Sequence, residues 1–162
     1  TAYDPERNRY YIPVIESCGL HVNIPTEKAW EAREWWLGGA PKMGPTISGS
    51  VTAMDVNTGA VAGKYQTKHP QYGGLLATKG GLVFAGKPEG EIVAIDSDTL
   101  EELWSFRTNT SINAPPITFA VDGKQYVAIL AGAGGAWPLW FIAASPGLEK
   151  MEPGQMLFVF AL

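Results

Sequence analysis

Few side chains in this 162-residue sequence are suited to metal binding or nucleophilic catalysis. His21 and His69 lie far apart, and neither belongs to a set of spaced ligands typical of a zinc site. No Gly-x-Ser-x-Gly motif occurs, and Ser145 has no evident His partner. Cys18 follows a predicted strand instead of opening a helix among basic residues, which favours an inert or buried thiol over a nucleophile. The sequence therefore predicts no catalytic residue and no metal ligand within this chain.

Phosphate, nucleic acid and membrane binding are also disfavoured. The glycine-rich stretch at residues 73–81 lacks the Gly-Lys-Ser/Thr of a phosphate-binding loop. Twelve Lys and Arg against 16 Asp and Glu give a net charge of −4, so no basic surface for nucleic acid is expected. No apolar run approaches the roughly 20 residues of a membrane-spanning helix, and the N-terminus has no signal-peptide pattern. We therefore expect a mature or processed soluble chain that binds no nucleic acid.

The elements that must position any site are indicated by an internal repeat. Residues 49–59 align with residues 90–100, and the offset, measured from Ala53 to Ala94, is 41 residues. Each copy predicts a β-hairpin, with alternating apolar residues before an Asp-x-x-Thr turn. Five identities share this offset: Gly49/Gly90, Ala53/Ala94, Asp55/Asp96, Thr58/Thr99 and Thr67/Thr108.

Further hairpins lie between and after the two copies. Residues 75–78 and 82–85 flank Lys79-Gly80-Gly81, and residues 116–121 and 124–130 flank Asp122-Gly123. Additional strands are predicted at residues 10–14 and 155–162. Four short strands in about 40 residues are typical of one β-propeller blade. The alternative is an all-β sandwich with accidental turn similarity, which has no reason to repeat at this offset.

The number of blades predicts an incomplete propeller. At about 40 to 45 residues per blade, residues 1–162 provide at most about four blades. We therefore expect an all-β chain that forms part of a larger propeller, with an insertion at about residues 17–48. Within that insertion, helix-favouring residues between Thr26 and Trp36 predict the one helix of the chain. Its three Trp residues are expected to pack in the core of the insertion, with a binding role as the alternative.

The second copy of the repeat resembles a known family motif. Ala94-x-Asp96-x-x-Thr99-x-x-x-x-Trp104 is similar to the tryptophan-docking motif of quinoprotein alcohol dehydrogenases, Ala-x-Asp-x-x-Thr-Gly-x-x-x-Trp. This copy has Leu100 where the motif has Gly, and the first copy has Gly63 where the motif has Trp. Six further stretches resemble the same family in the same order: residues 3–6, 11–13, 73–86, 112–118, 122–128 and 132–136.

The resemblance implies the C-terminal blades of an eight-bladed propeller that holds pyrroloquinoline quinone (PQQ) and a Ca²⁺ or lanthanide ion. It implies oxidation of an alcohol, aldehyde or sugar in the periplasm, with electrons passed to a cytochrome c. The family's metal ligands and catalytic Asp come from regions outside this chain. The resemblance therefore implies a larger chain that carries the remaining blades and most of the catalytic residues.

Five residues match family positions near the cofactor and the substrate. Tyr72 matches an aromatic residue at the edge of PQQ, and the turn formed by Gly135, Ala136 and Trp137 matches a second cofactor contact. Trp140 matches a Trp that narrows the substrate entrance in relatives that accept larger alcohols. Packing between blades is the alternative role for these aromatic side chains.

Two other functions remain open from the sequence. A non-catalytic propeller scaffold would use its surface to hold protein partners, but it would have no need of residues 134–140. A small free-standing sandwich that binds sugars would have no need of the 41-residue repeat. Reconstitution with PQQ separates the enzyme from both alternatives.

Overall fold

The computed structural model describes residues 1–23, 31–33, 38–134 and 145–162. Within these ranges the regular structure is β-strand, apart from one 3₁₀ turn at Leu148–Lys150, which confirms the all-β class predicted from the sequence. The described strands are β1 (Ala2–Asp4), β2 (Arg9–Asn23), β3 (Gly39–Asp55), β4 (Val61–Thr67), β5 (Leu75–Ala77), β6 (Leu82–Lys87), β7 (Glu91–Asp96), β8 (Glu102–Arg107), β9 (Ile117–Val121), β10 (Lys124–Gly132) and β11 (Gln155–Ala161).

The strands form three antiparallel sheets. The first blade has the order β1-β2-β3-β4, and the second blade has the order β5-β6-β7-β8. The third blade has β10 in the middle, between β9 and β11. The hairpins predicted around Lys79-Gly80-Gly81 and Asp122-Gly123 are both present, as β5/β6 and β9/β10. Each complete blade is thus a meander of four strands, as the repeat predicts.

The shared Asp and Thr of the repeat build the same turn twice. Asp55 Oδ1 accepts hydrogen bonds from the backbone N–H of Asn57 at 3.0 Å and of Thr58 at 2.8 Å. Asp96 Oδ1 accepts from the N–H groups of Asp98 and Thr99, both at 2.8 Å. These bonds favour the charged carboxylate, so the pKa of each Asp lies below its usual value, chiefly because of the Thr N–H.

Two further identities, Gly49/Gly90 and Thr67/Thr108, mark where the chain crosses to the next blade. A Cβ at Gly49 would lie 2.2 Å from the backbone nitrogen of Gln71, and a Cβ at Gly90 would lie 2.8 Å from the carbonyl oxygen of Thr110. The hydroxyl of Thr67 donates to the carbonyl of His69, and that of Thr108 donates to the carbonyl of Thr110. Glycine is required at both crossings because the backbone of the passing segment occupies the space of a side chain.

Two apolar layers hold the three blades together. The layer between the first and second blades contains Tyr11, Val51, Ala53, Leu75, Val83, Ala85, Val93, Ile95 and Leu100. The layer between the second and third blades contains Ile92, Ile112, Ile129 and Ala131, with Phe158 and Phe160 packed against it. Because each strand of a blade offers one face to each neighbour, the blades stack face to face.

The two departures from the docking motif lie in contact. Leu100 adopts a left-handed backbone with φ of 61° at the place where Gly59 has φ of 70° in the first copy. A Cβ at Gly63 would lie 3.0 Å from Cδ1 of Leu100, and Leu100 is only 6% exposed. The side chain of Leu100 therefore fills space beside Gly63, where the motif would place a Trp.

Trp104 contacts the next blade but is not enclosed by the described residues. Its ring meets the ring of Phe160 on β11 edge-on, with 5.2 Å between centroids, and it remains 39% exposed. The Trp104 ring therefore packs against the third blade and is only partly buried.

The long hairpin of the first blade extends into the predicted insertion. β2 pairs with β3 as far as Asn23 opposite Gly39, with an irregularity between Ser17 and Gly19. Cys18 lies on β2 and is exposed, so the buried alternative for this thiol is wrong. The helix predicted between Thr26 and Trp36 lies outside the described residues, except for residues 31–33, and the boundaries at residues 17–48 stay a prediction.

Candidate functional site

Three strand ends converge at one end of the second and third blades. A Cβ at Gly73 would lie 3.4 Å from the carbonyl oxygen of Asn113, and one at Gly74 would lie 2.5 Å from Cβ of Pro115. The side-chain amide of Asn113 donates to the carbonyl of Gly134 at 2.9 Å. The residues before β5, those before β9 and those after β10 therefore meet here, and the two glycines allow the close approach.

Tyr72 places an aromatic side chain at this end. It directly precedes Gly73, and its side chain is 43% exposed. The repeat offset aligns Tyr72 with Asn113, so the two copies place an aromatic ring and an amide at equivalent positions. A half-exposed aromatic ring can contact the flat face or the rim of a planar ligand.

A cavity of about 440 Å³ lies against the third blade at the same end. Leu130, Met156 and Leu157 form an apolar wall, while Asn113 and Gln155 supply side-chain amides. Oδ1 of Asn113 is buried and has no hydrogen-bond partner among the described residues. The cavity can therefore accept an apolar group, with side-chain amides at its edge.

Charged groups cluster at the neighbouring turn between β6 and β7. Lys87 Nζ lies 2.6 Å from Oε2 of Glu91, and Arg107 lies 3.1 Å from its Oε1. These two cations lower the pKa of Glu91, with the Lys87 hydrogen bond as the largest cause. Burial lowers the pKa of the nearby His69. The ion pairs hold the turn and leave Glu91 fully charged at neutral pH.

Metal binding finds no support in the parts of the chain that the structure describes. Among these residues, no group of three or more His, Cys, Asp or Glu side chains could hold a metal ion. The described residues also contain no helix long and apolar enough to cross a membrane.

Ion pairs join the first and second blades at their opposite end. Arg7 lies 3.0 Å from Oδ2 of Asp4 and 2.9 Å from Oδ2 of Asp98, and these carboxylates raise its pKa, with Asp98 as the larger cause. The hydroxyl of Tyr11 donates to the carbonyl of Ser97 at 2.8 Å. The motif that begins at Tyr3 therefore joins two blades and lies away from the candidate site.

The predicted site residues are only partly described. Tyr72 lies at the converging end, as does Gly134, which directly precedes the predicted turn. Gly135, Ala136, Trp137 and Trp140 lie outside the described residues. The assignment of all five to a cofactor or substrate site stays a prediction.

Sequence reasoning missed Gln71 and Asn113, two side-chain amides at this end. The register of the repeat could have found Asn113, because the offset of 41 residues aligns it with Tyr72. The same register aligns Gln71 with Ile112, and a polar residue at the place of a buried Ile is a detectable signal.

Comparison with known proteins points to one family. A model of the PQQ-containing glucose/ethanol/alcohol dehydrogenase β-propeller domain matches residues 60–127. A quinoprotein ethanol dehydrogenase from Pseudomonas putida is 48% identical across 99% of this chain, which covers 26% of that relative. Quinoprotein alcohol dehydrogenase PedH from P. putida KT2440 is 32% identical across 99% of this chain, which covers 27% of that relative.

Solved structures agree with these sequence matches. A europium-containing methanol dehydrogenase superposes with a TM-score of 0.85 at 27% identity, over 99% of this chain and 32% of that structure. A quinohemoprotein alcohol dehydrogenase from Comamonas testosteroni superposes with a TM-score of 0.73 at 26% identity, over 98% of this chain and 25% of that structure. The chain spans about a quarter of the length of the curated relatives it matches.

Proposed function

Because the chain belongs to the PQQ-dependent quinoprotein alcohol and methanol dehydrogenase family, we propose that it forms blades of a propeller that oxidises an alcohol, aldehyde or sugar with PQQ. The observation that carries this proposal is the 48% identity to a quinoprotein ethanol dehydrogenase along 99% of the chain. The chain corresponds to only part of such an enzyme, so the activity belongs to the complete propeller.

A larger chain with the remaining blades is the proposed partner. The third blade carries four side chains that are about half exposed or more, Ile117, Leu130, Leu157 and Val159. Ile117 and Val159 both lie opposite Ala128 of β10, and Leu130 lies opposite Leu157, so the four follow one sheet surface. An apolar surface of this kind favours packing against another sheet.

The described residues fit one edge of a bound quinone. Tyr72 offers a half-exposed ring, and Asn113 carries a buried amide oxygen without a hydrogen-bond partner among the described residues. The two-electron redox chemistry would be supplied by bound PQQ. Residues of this chain would hold its rim, whereas the Ca²⁺ or lanthanide ion would be held by residues outside the chain.

The substrate, the electron acceptor and the compartment follow from the family resemblance. We assign Gly135, Ala136 and Trp137 to the cofactor turn and Trp140 to the substrate entrance. The proposed electron acceptor is a cytochrome c, and the proposed compartment is the periplasm.

The deciding experiment uses the complete protein that contains this chain. It is reconstituted with PQQ and either Ca²⁺ or a lanthanide, and kcat/KM is measured for alcohols of increasing size with an artificial electron acceptor. Reduction of an added cytochrome c and fractionation of the periplasm test the acceptor and the compartment. Failure to bind PQQ under both metal conditions would favour the scaffold alternative.

Two variants test the residue assignments. Tyr72→Ala should weaken the binding of PQQ and so lower activity toward every substrate alike. Trp140→Ala should instead change the difference in activation free energy between small and bulky alcohols by about 1 to 3 kcal/mol. Tyr3→Ala is a matched control, since Tyr3 is an exposed tyrosine at the opposite end of a blade. Equal effects of Tyr72→Ala and Tyr3→Ala on PQQ retention would assign Tyr72 to packing.

A further inference from the structure

We propose that Gln71 is a positioning residue that fixes the backbone carrying Tyr72 by bridging the first and second blades. Gln71 directly precedes Tyr72 and is only 1% exposed. Its Nε2 donates to the carbonyl of Gly86 on β6 at 2.8 Å. Its backbone N–H donates to the carbonyl of Val14 on β2 at 3.3 Å. One residue thus ties the segment before β5 to two different blades.

The repeat shows that the fold itself does not require an amide here. The 41-residue offset aligns Gln71 with Ile112, which is also fully buried and lies directly before Asn113. Ile112 packs against Gly86, where a Cβ would lie 2.2 Å from its Cγ2. An apolar side chain therefore fills the equivalent crossing, so the amide of Gln71 does something other than fill space.

The amide also carries a desolvation cost that packing does not explain. Oε1 of Gln71 is buried and has no hydrogen-bond partner among the described residues. A buried polar atom without a partner is unfavourable compared with an apolar side chain of similar size. An isosteric apolar residue would remove this cost, so the retained amide is consistent with a directional role for its Nε2.

The residues after Tyr72 explain why a restraint is needed before it. Gly73 and Gly74 have no side chains to pack, and glycine loses more conformational freedom on folding than any other residue. Gly73 lies between two carbonyl oxygens, those of Gly86 and Asn113, each 3.4 Å from its Cβ position. A contact between the Cα–H of Gly73 and either carbonyl is weaker than an N–H···O hydrogen bond. Gln71 therefore restrains the backbone directly before Tyr72 through its bonds to Gly86 and Val14.

The consequence for PQQ rests on the proposed function, but the positioning role does not. If Tyr72 contacts the rim of PQQ, loosening its backbone weakens cofactor binding without removing the contact group. The role of Gln71 can be measured without cofactor, because it predicts the local dynamics of residues 72–74.

The test uses Gln71→Ile, which installs the residue of the other repeat copy, and Gln71→Met, which keeps the length of the side chain. The matched control is Tyr11→Phe, since Tyr11 is fully buried and donates one hydrogen bond to a carbonyl, that of Ser97, at the opposite end of the blades. Hydrogen exchange of residues 72–74 and nitration of the Tyr72 ring are followed by mass spectrometry in the complete protein. The dissociation constant of PQQ is measured in parallel.

We expect both Gln71 variants to speed exchange at residues 72–74 by about threefold to tenfold, the scale of one lost hydrogen bond, and to change the rate of Tyr72 nitration. The thermal midpoint should fall no further than in Tyr11→Phe. A weaker PQQ affinity only in the Gln71 variants supports both the inference and the proposed site. Faster local exchange with unchanged PQQ affinity supports the positioning role and refutes the cofactor contact of Tyr72. Local exchange no faster than in Tyr11→Phe overturns the inference.

Discussion

Replacing Leu100 separates two opposing energies at one residue. Its backbone is left-handed, with φ of 61°, which costs an L-amino acid about 1 to 2 kcal/mol. Its side chain is only 6% exposed and packs beside Gly63 in the layer between the first and second blades. Truncation of a buried Leu to Ala costs about 2 to 5 kcal/mol, which exceeds the backbone strain. Burial therefore decides the residue at this turn.

The two effects predict an unusual order of stability. Leu100→Ala loses the packing and keeps the strained backbone, so it should destabilise by about 2 to 5 kcal/mol. Leu100→Gly removes slightly more side chain but relieves the strain, so it should be more stable than Leu100→Ala by about 1 to 2 kcal/mol. Denaturant unfolding of the complete protein measures both, with m compared between variants.

The first copy of the repeat provides the control. Gly59 has φ of 70°, and a Cβ added there would have no neighbouring atom within 4 Å. Gly59→Leu therefore adds backbone strain without gaining packing. It should cost about 1 to 2 kcal/mol. Gly63→Ala should be better tolerated in the Leu100→Gly background, where the 3.0 Å contact with Cδ1 is absent. If Leu100→Gly were more stable than the parent protein, the compensation between Leu100 and Gly63 would be refuted.

Three further predictions follow from the same contacts. Trp104→Ala should destabilise by about 1 to 3 kcal/mol, less than for an enclosed ring, because Trp104 is 39% exposed and keeps an edge contact with Phe160; a thermal midpoint equal to the parent would contradict the contact. Asp55→Asn and Asp96→Asn should each reduce the amount of stability that the protein loses in acid. The pKa of both carboxyls is lowered in the folded protein, so the stability they contribute is present above about pH 4 and disappears as the pH falls through the folded pKa. An unchanged midpoint of acid unfolding would refute this. Burial lowers the pKa of His69 in the folded protein and favours its neutral form, so stability should decline as the pH falls below about 6.5. His69→Gln should remove that decline. Thermal unfolding between pH 5 and pH 8 measures it, and equal slopes of the thermal midpoint against pH in both proteins would contradict the prediction.

The sequence predicts the blades well because their signals are local. Asp122-Gly123 and the Asp55 and Asp96 turns fix hairpins through bonds within a few residues, and all three hairpins are present. The repeat of 41 residues then orders these hairpins into meanders of four strands. Turn chemistry and alternation of apolar residues are sufficient for this level of structure.

Contacts between blades were harder to predict, because they join residues that are distant in sequence. Leu100 and Gly63 each look like a defect in the docking motif when read alone, and their compensation is visible only when the blades are stacked. The exposure of Trp104 likewise depends on which surfaces of the third blade are covered. Residue spacing along one strand contains no information about that covering.

The candidate site follows the same division, and it suggests where function should be sought in a repeat protein. The identities between the two copies serve the turns and the crossings, as the paired roles of Asp55 and Asp96 show. Positions that differ at equal register are free of that common demand. Tyr72 and Asn113 are such a pair, as are Gln71 and Ile112, and all four lie at the end where the strands converge. A ligand site in a blade is therefore best sought among the positions at which aligned copies of the repeat carry different residues.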